Sequence, residues 1–240
     1  MAGKMKVFLR VGVFFLAWFQ FATPQDWLAV SKKEILRLRN EFRAFDNTKS
    51  DIIFLIDTSG SLGKPDYNKE KKFVKNLLNE ISVGMEATRV EVIPFGSKAS
   101  IFIDYVSKPD LSKTKCTFIE QFDPMPQSIN GWATNMKDAF QLAYDVCVGK
   151  HSGQKRKPLN KVKTVVILLT DGRWNTPWYD PSPIPVAQKL HNASVEVFAI
   201  GVGRIDFKNL KKVVNDSAKQ AFHLKDFKEF SELATYIRGG

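Results

Sequence analysis

Residues 51–61 read Asp51-Ile-Ile-Phe-Leu-Ile-Asp57-Thr-Ser59-Gly-Ser61. Five apolar residues in a row, bounded by two aspartates, lack the alternation of a half-wet strand and suit one buried on both faces. The run stops at an acid followed by a Ser/Gly turn. A helical stretch comes next, from about Asp66 to Ile81, with Val74, Leu77, Leu78 and Ile81 at i, i+3, i+4 and i+7. The same alternation continues downstream. Arg89–Phe95 reads as a strand with a hairpin mate at Ala99–Asp104, and helical pieces follow near 110–122 and 134–148. Lys163–Thr170 is a second buried strand. A helix at about 185–192, a strand at Val195–Val202, a helix at about 206–215, a short strand at Ala221–Leu224 and a final helix at 227–237 complete the chain. Strands alternating with helices predict an α/β fold: a doubly wound, mostly parallel, Rossmann-like sheet with one antiparallel edge strand and helices on both faces. Ligands of such sheets bind at the carboxyl ends of the strands.

Three loops should meet at that edge. The first strand ends in Asp57-Thr-Ser59-Gly-Ser61, the strand at 163–170 ends in Thr170-Asp171-Gly172, and Asn130-Gly-Trp-Ala-Thr134-Asn precedes a helix. Together they offer the carboxylates of Asp57 and Asp171 and the hydroxyls of Ser59, Ser61 and Thr134, with no thiolate or imidazole. All-oxygen ligands suit a hard divalent cation, and so few carboxylates suit octahedral Mg²⁺ better than a seven- or eight-coordinate Ca²⁺ cage. Mn²⁺ and Ca²⁺ are the alternatives. The set is short of negative charge for a dication, which leaves room for an acidic group from a partner.

These residues carry a resemblance. Asp57-x-Ser59-x-Ser61, Thr134 and Thr170-Asp171-Gly172 resemble the metal-ion-dependent adhesion site of the von Willebrand factor A domain, and Val195–Gly203 is similar to that family's fifth strand. The resemblance spans about residues 50–238 and is of the extracellular type. It implies that Ser59, Ser61 and Thr134 coordinate the metal directly, that Asp57 and Asp171 do so directly or through water, and that a partner's Asp or Glu fills the open position. Trp132 is a departure: it stands where the family often has the second glycine of a pair. Trp132, Trp174 and Trp178 all fall in the loops of this edge. Either they form an apolar rim that meets the partner, since tryptophan is favoured at binding hot spots, or Trp174 and Trp178 simply cover the sheet edge.

The rest of the chain bears on where the protein works. Lys4, Lys6 and Arg10 precede an apolar run from Val11 to Ala22. That is the pattern of a secretory signal peptide over 1–22, and it is short for a membrane span. Residues 23–49 form a helical or linker segment. Leu28, Ile35, Leu38, Phe42 and Phe45 give it a partial heptad seam, which fits either an oligomerising helix or an amphipathic helix packed on the domain or acting as a stalk. A secreted chain makes Asn192-Ala-Ser and Asn215-Asp-Ser into glycosylation acceptors. In an oxidising compartment Cys116 and Cys147 become a candidate disulfide, the alternative being two buried free thiols.

Of the 240 residues, 44% are hydrophobic and 25% charged, which excludes a disordered chain. With two cysteines and three histidines, zinc modules and disulfide scaffolds are excluded too. The net charge is +11, three units of which belong to the leader. The remaining excess, with patches at Lys69–Lys72 and Lys155–Lys157, supports an alternative, metal-independent function: binding a sulfated, heparin-like glycan. Nucleic acid is not an expected partner of a secreted chain. An enzyme is not expected either. Haloacid-dehalogenase-type phosphatases need a second aspartate where Ser59 stands, and no nucleophile elbow or phosphate-binding loop with lysine occurs. The reading is a secreted, non-catalytic adhesion module that holds a protein partner through a metal.

Overall fold

The computed structural model describes residues 49–105, 108, 110, 113–127, 129–148, 162–172, 182–226 and 229, with Lys33, Leu36, Arg37, Asn40, Glu41, Arg43 and Ala44 of the leading segment. The leader, the seam residues, Lys155–Lys157, Trp174, Trp178 and all but Glu229 of the final predicted helix lie outside the described residues.

The elements run β1 (Ser50–Asp57), α1 (Lys64–Leu78), β2 (Thr88–Phe95), α2 (Lys115–Phe122), α3 (Met136–Cys147), β3 (Lys163–Thr170), α4 (Ile184–Asn192), β4 (Glu196–Val202), α5 (Phe207–Val213) and β5 (Ala221–Leu224). The strands form one sheet in the order β2-β1-β3-β4-β5, and every neighbouring pair is parallel. The chain leaves β1 toward β2 and returns to β3 on the other side. The strand order therefore reverses between β1 and β3, which opens a crevice at their carboxyl ends.

Both faces of the sheet are covered, which is why β1 and β3 read as unbroken apolar runs. Ile52, Phe54, Ile56, Val165, Ile167 and Leu169 pack on one face under α1 and α2, with Tyr67, Phe73, Val74, Leu77, Phe118 and Phe122. Ile53, Leu55, Val166 and Leu168 pack on the other under α3, α4 and α5, with Met136, Phe140, Ala143, Leu190 and Val213. Side-chain caps set three helix starts. The side chains of Thr114, Asn135 and Asp206 accept from the backbone N–H of Thr117, Asp138 and Asn209, each at 3.1 Å. α1 lacks a side-chain cap but carries Pro65 in its first turn, where the missing N–H costs nothing.

Two expectations need correction. Ala99–Asp104 does not form the antiparallel edge strand. It meets β2 through the isolated antiparallel bridges Phe95↔Ala99 and Val92↔Ile103 and a 3.3 Å hydrogen bond from the Ser100 N–H to the Pro94 carbonyl, contacts too widely spaced to make a continuous ladder. Cys116 and Cys147 are not joined. Cys116 is exposed on α2 and Cys147 is buried on α3, and those helices cover opposite faces of the sheet. The sheet itself separates the two thiols.

The leading segment contacts the edge opposite the crevice. The Arg37 guanidinium donates to the carbonyls of Ala218 (2.9 Å) and Ala221 (3.1 Å) and lies 4.0 Å from the centre of the Phe222 ring. Arg43 pairs with Glu80 just past α1, and Lys49 pairs with Glu86.

Glu91 in β2 is fully buried, and neither carboxylate oxygen has a hydrogen-bond partner. Burial, then the charges of Asp104 and Asp51, push its pKa up to about 9, with Arg89 opposing. Glu91 is thus neutral in the fold at pH 7 but ionised in the unfolded chain, where glutamate titrates near ~4.3. Its contribution to stability is whole below about pH 4 and is lost as pH rises toward 9. Glu91→Gln should remove that loss, on the order of 3 kcal/mol at pH 7. Urea melts at pH 5 and pH 8 check it: the variant should gain over wild type mainly at pH 8. An equal gain or loss at both would refute the assignment.

Candidate metal centre

The crevice between β1 and β3 is lined by the loops that follow them. Asp57 is the last residue of β1 and is fully buried. One carboxylate oxygen accepts from the backbone N–H of Ser59 (2.9 Å), the other from the Thr170 hydroxyl at the end of β3 (2.7 Å). The hydroxyls of Ser59 and Ser61 lie 3.0 Å apart, and Ser61 donates to Asp171 at 2.8 Å. A Cβ built on Gly172 would stand 3.6 Å from the Thr134 hydroxyl and 4.0 Å from that of Ser61. Thr134 therefore borders the same point from the third loop. All five oxygen-bearing residues singled out in the sequence meet in one place, 114 positions apart at the extremes. Asp57, Ser59 and Thr134 are buried, while Asp171 is half-buried and Ser61 exposed. The cluster thus has a sealed floor and an open lip.

The 130–135 loop is pinned from β2. Asn130 donates to the Pro94 carbonyl (2.6 Å) and accepts from Ser100 (3.1 Å), the Asn135 N–H donates to the Gly96 carbonyl (2.8 Å), and Gly131 takes φ +88°. The Gly60 N–H donates to the Trp132 carbonyl (3.0 Å), and a Cβ on Gly60 would come within 2.0 Å of the indole. Gly60 thus leaves room for the Trp132 ring on the loop that carries Thr134. The ring remains 76% exposed beside the site.

The electrostatics describe a site short of positive charge. Burial, and then the charge of Asp171, raise the Asp57 carboxyl to about 6 against the hydrogen bonds from Ser59 and Thr170. Burial raises Asp171 as well. Glu70 on α1 is 2% exposed, one of its oxygens has no partner, and burial with the charges of Asp57 and Asp171 holds it well above the carboxylate range. Hard oxygen donors, clustered carboxylates raised above their ordinary range by burial and by one another, and an orphaned buried carboxylate oxygen are the environment a dication would relieve. The residues fit a divalent metal.

Two residues of this region were not among the expected ligands. Thr170 anchors Asp57 and was legible from its place next to Asp171. Glu70 carries a fainter signal: it falls three after Tyr67 and four before Val74, so a charged residue sits on the apolar face of α1. His191 and His223 bond backbone carbonyls of Val213 and Gly203 instead.

A family model described as von Willebrand factor type A domain matches residues 51–235. The Mus musculus sushi, von Willebrand factor type A, EGF and pentraxin domain-containing protein 1 is 31% identical over 187 residues, covering 77% of this chain and 5% of that protein. Matrilin-2 of Mus musculus is 25% identical over 195 residues, covering 80% and 19%. Among solved structures, proximal thread matrix protein 1 from the mussel byssus, with a zinc-occupied MIDAS motif, superposes with TM-score 0.62 at 25% identity, covering 79% of this chain and 45% of that one. The chain spans less than a fifth of either curated relative.

Proposed function

This chain belongs to the von Willebrand factor type A family, and from that premise we propose that it is an extracellular, non-catalytic module that binds a protein partner through a divalent metal. The observation that carries the reading is the convergence of Asp57, Ser59, Ser61, Thr134 and Asp171 on one crevice with an open lip. Ser59, Ser61 and Thr134 would hold the metal directly, and Asp57 and Asp171 directly or through water. When bound, the metal supplies a positive bridge between this acidic site and a partner's Asp or Glu, groups that would otherwise repel. The oxygen donors favour Mg²⁺, with Mn²⁺ or Ca²⁺ as alternatives. Matrilin-2 and a byssal thread matrix protein as relatives support a place outside the cell, alongside the 1–22 leader and the sequons. Among the described residues no helix is long and apolar enough to cross a membrane.

The surfaces around the site agree with this use. Asn192 ends α4 and Asn215 follows α5, both exposed. Those helix ends lead into the amino ends of β4 and β5, so glycans there would leave the metal edge clear. The glycan-binding alternative draws less support: Lys69 pairs with Asp66 at 2.7 Å, and Lys71 is turned onto the Asp123 carbonyl at 2.8 Å.

Capture of a partner from extracellular material in Mg²⁺ against EDTA tests the reading. Retention should be lost in EDTA, and equal retention in both would overturn it. Trp132→Ala should weaken the captured partner about tenfold or more, as removal of an exposed aromatic anchor does. Surface plasmon resonance in Mg²⁺ reads this, and unchanged affinity would remove Trp132 from the interface.

A further inference from the structure

We infer that Glu70 is a third carboxylate of the metal centre, acting on the bound cation from the buried side of α1 through charge and ordered water. This rests on the metal reading above. The site described so far has two carboxylates for a dication, and the first helix brings a third. α1 begins three residues after Ser61, and Glu70 lies on its buried side between Tyr67 and Val74. A carboxylate there has to be paired or neutral, since leaving it alone in an apolar layer is costly. No cation or hydroxyl meets its Oε2. The charges that act on it are those of Asp57 first and Asp171 second, the same two carboxylates that frame the crevice. A buried acid with an unpartnered oxygen, repelled by two further carboxylates, is unfavourable in the metal-free protein and becomes favourable once a dication stands among them. Metal-site carboxylates beyond the direct ligands typically contribute 10–100-fold in affinity.

The tests are Glu70→Gln, which keeps the shape and drops the charge, and Glu70→Asp, which keeps the charge. Calorimetric titration with Mg²⁺ and with Mn²⁺ should show Glu70→Gln weakened about tenfold or more, with Glu70→Asp closer to wild type. In EDTA, Glu70→Gln should melt no lower than wild type, because an unpaired buried acid has been removed. The rise in melting temperature on adding Mg²⁺ should shrink in Glu70→Gln alone. Equal metal affinity in Glu70→Gln and wild type would overturn the inference, and so would equal weakening in both variants, which marks a packing role. Failure of the wild type to take up metal is a different result, since it would overturn the metal reading itself.

Discussion

Asp171→Ala is expected to abolish metal uptake, weakening Mg²⁺ binding by more than about a hundredfold, because outer partners alone are worth 10–100-fold at metal sites. Asp171 is the half-buried carboxylate at the lip, and Ser61 is oriented by it at 2.8 Å. Its loss removes one of the two carboxylates of the proposed metal shell and frees a hydroxyl at once. The fold should survive, since Asp171 sits beyond the end of β3 and outside both apolar layers. The burden on Asp57 should even ease in the metal-free protein, as Asp171 is the second cause of its raised pKa. In wild type, uptake should also weaken as pH falls below about 6, where the Asp57 carboxyl takes up a proton. Calorimetry at pH 7.5 and pH 5.5 reads both effects. Tight binding by the variant, or no binding by wild type, would each sink the metal assignment.

Arg89→Met should cost about 3–5 kcal/mol of stability, the usual consequence of removing one partner from a buried ion pair. Arg89 in β2 and Asp51 in β1 are paired across the sheet by two hydrogen bonds of 2.7 and 2.6 Å, with side chains 7% and 6% exposed. The guanidinium also lies 4.5 Å from the centre of the Tyr105 ring. Without it Asp51 is a buried charge with its cation gone, and the opposing influence on Glu91 disappears too. The double variant Asp51→Asn/Arg89→Met should recover part of the loss, because no stranded carboxylate remains. Urea denaturation gives both numbers. A single variant within about 1 kcal/mol of wild type, the range of exposed pairs, would show the pair to be dispensable.

The apolar runs of β1 and β3 and the helical spacing of α1 sufficed for the α/β architecture, because strand and helix periods are local. The proposed metal ligands were legible for a similar reason. Asp57, Ser59, Ser61 and Asp171 each sit within a few residues of a strand end, and parallel topology brings those ends together. Gly60 and Trp132 were not legible as a pair, since their fit is a contact between two loops, the residues lying 72 positions apart. The broken pairing of Ala99–Asp104 was not legible either, because a short alternating segment at an edge resembles a strand until its pairing is known.

What the sequence by itself determined is therefore the order of elements, the edge that carries chemistry and the oxygen donors there, all written in short windows of chain. The tertiary structure alone decided what depends on which face each element covers. It put Cys116 and Cys147 on opposite sides of the sheet, joined Asp51 to Arg89, and buried Glu91 without a partner. It also buried Glu70, with one oxygen unpartnered, where the charges of Asp57 and Asp171 act on it. Pairing of that kind is set by how helices pack against a common sheet, and no local window contains it.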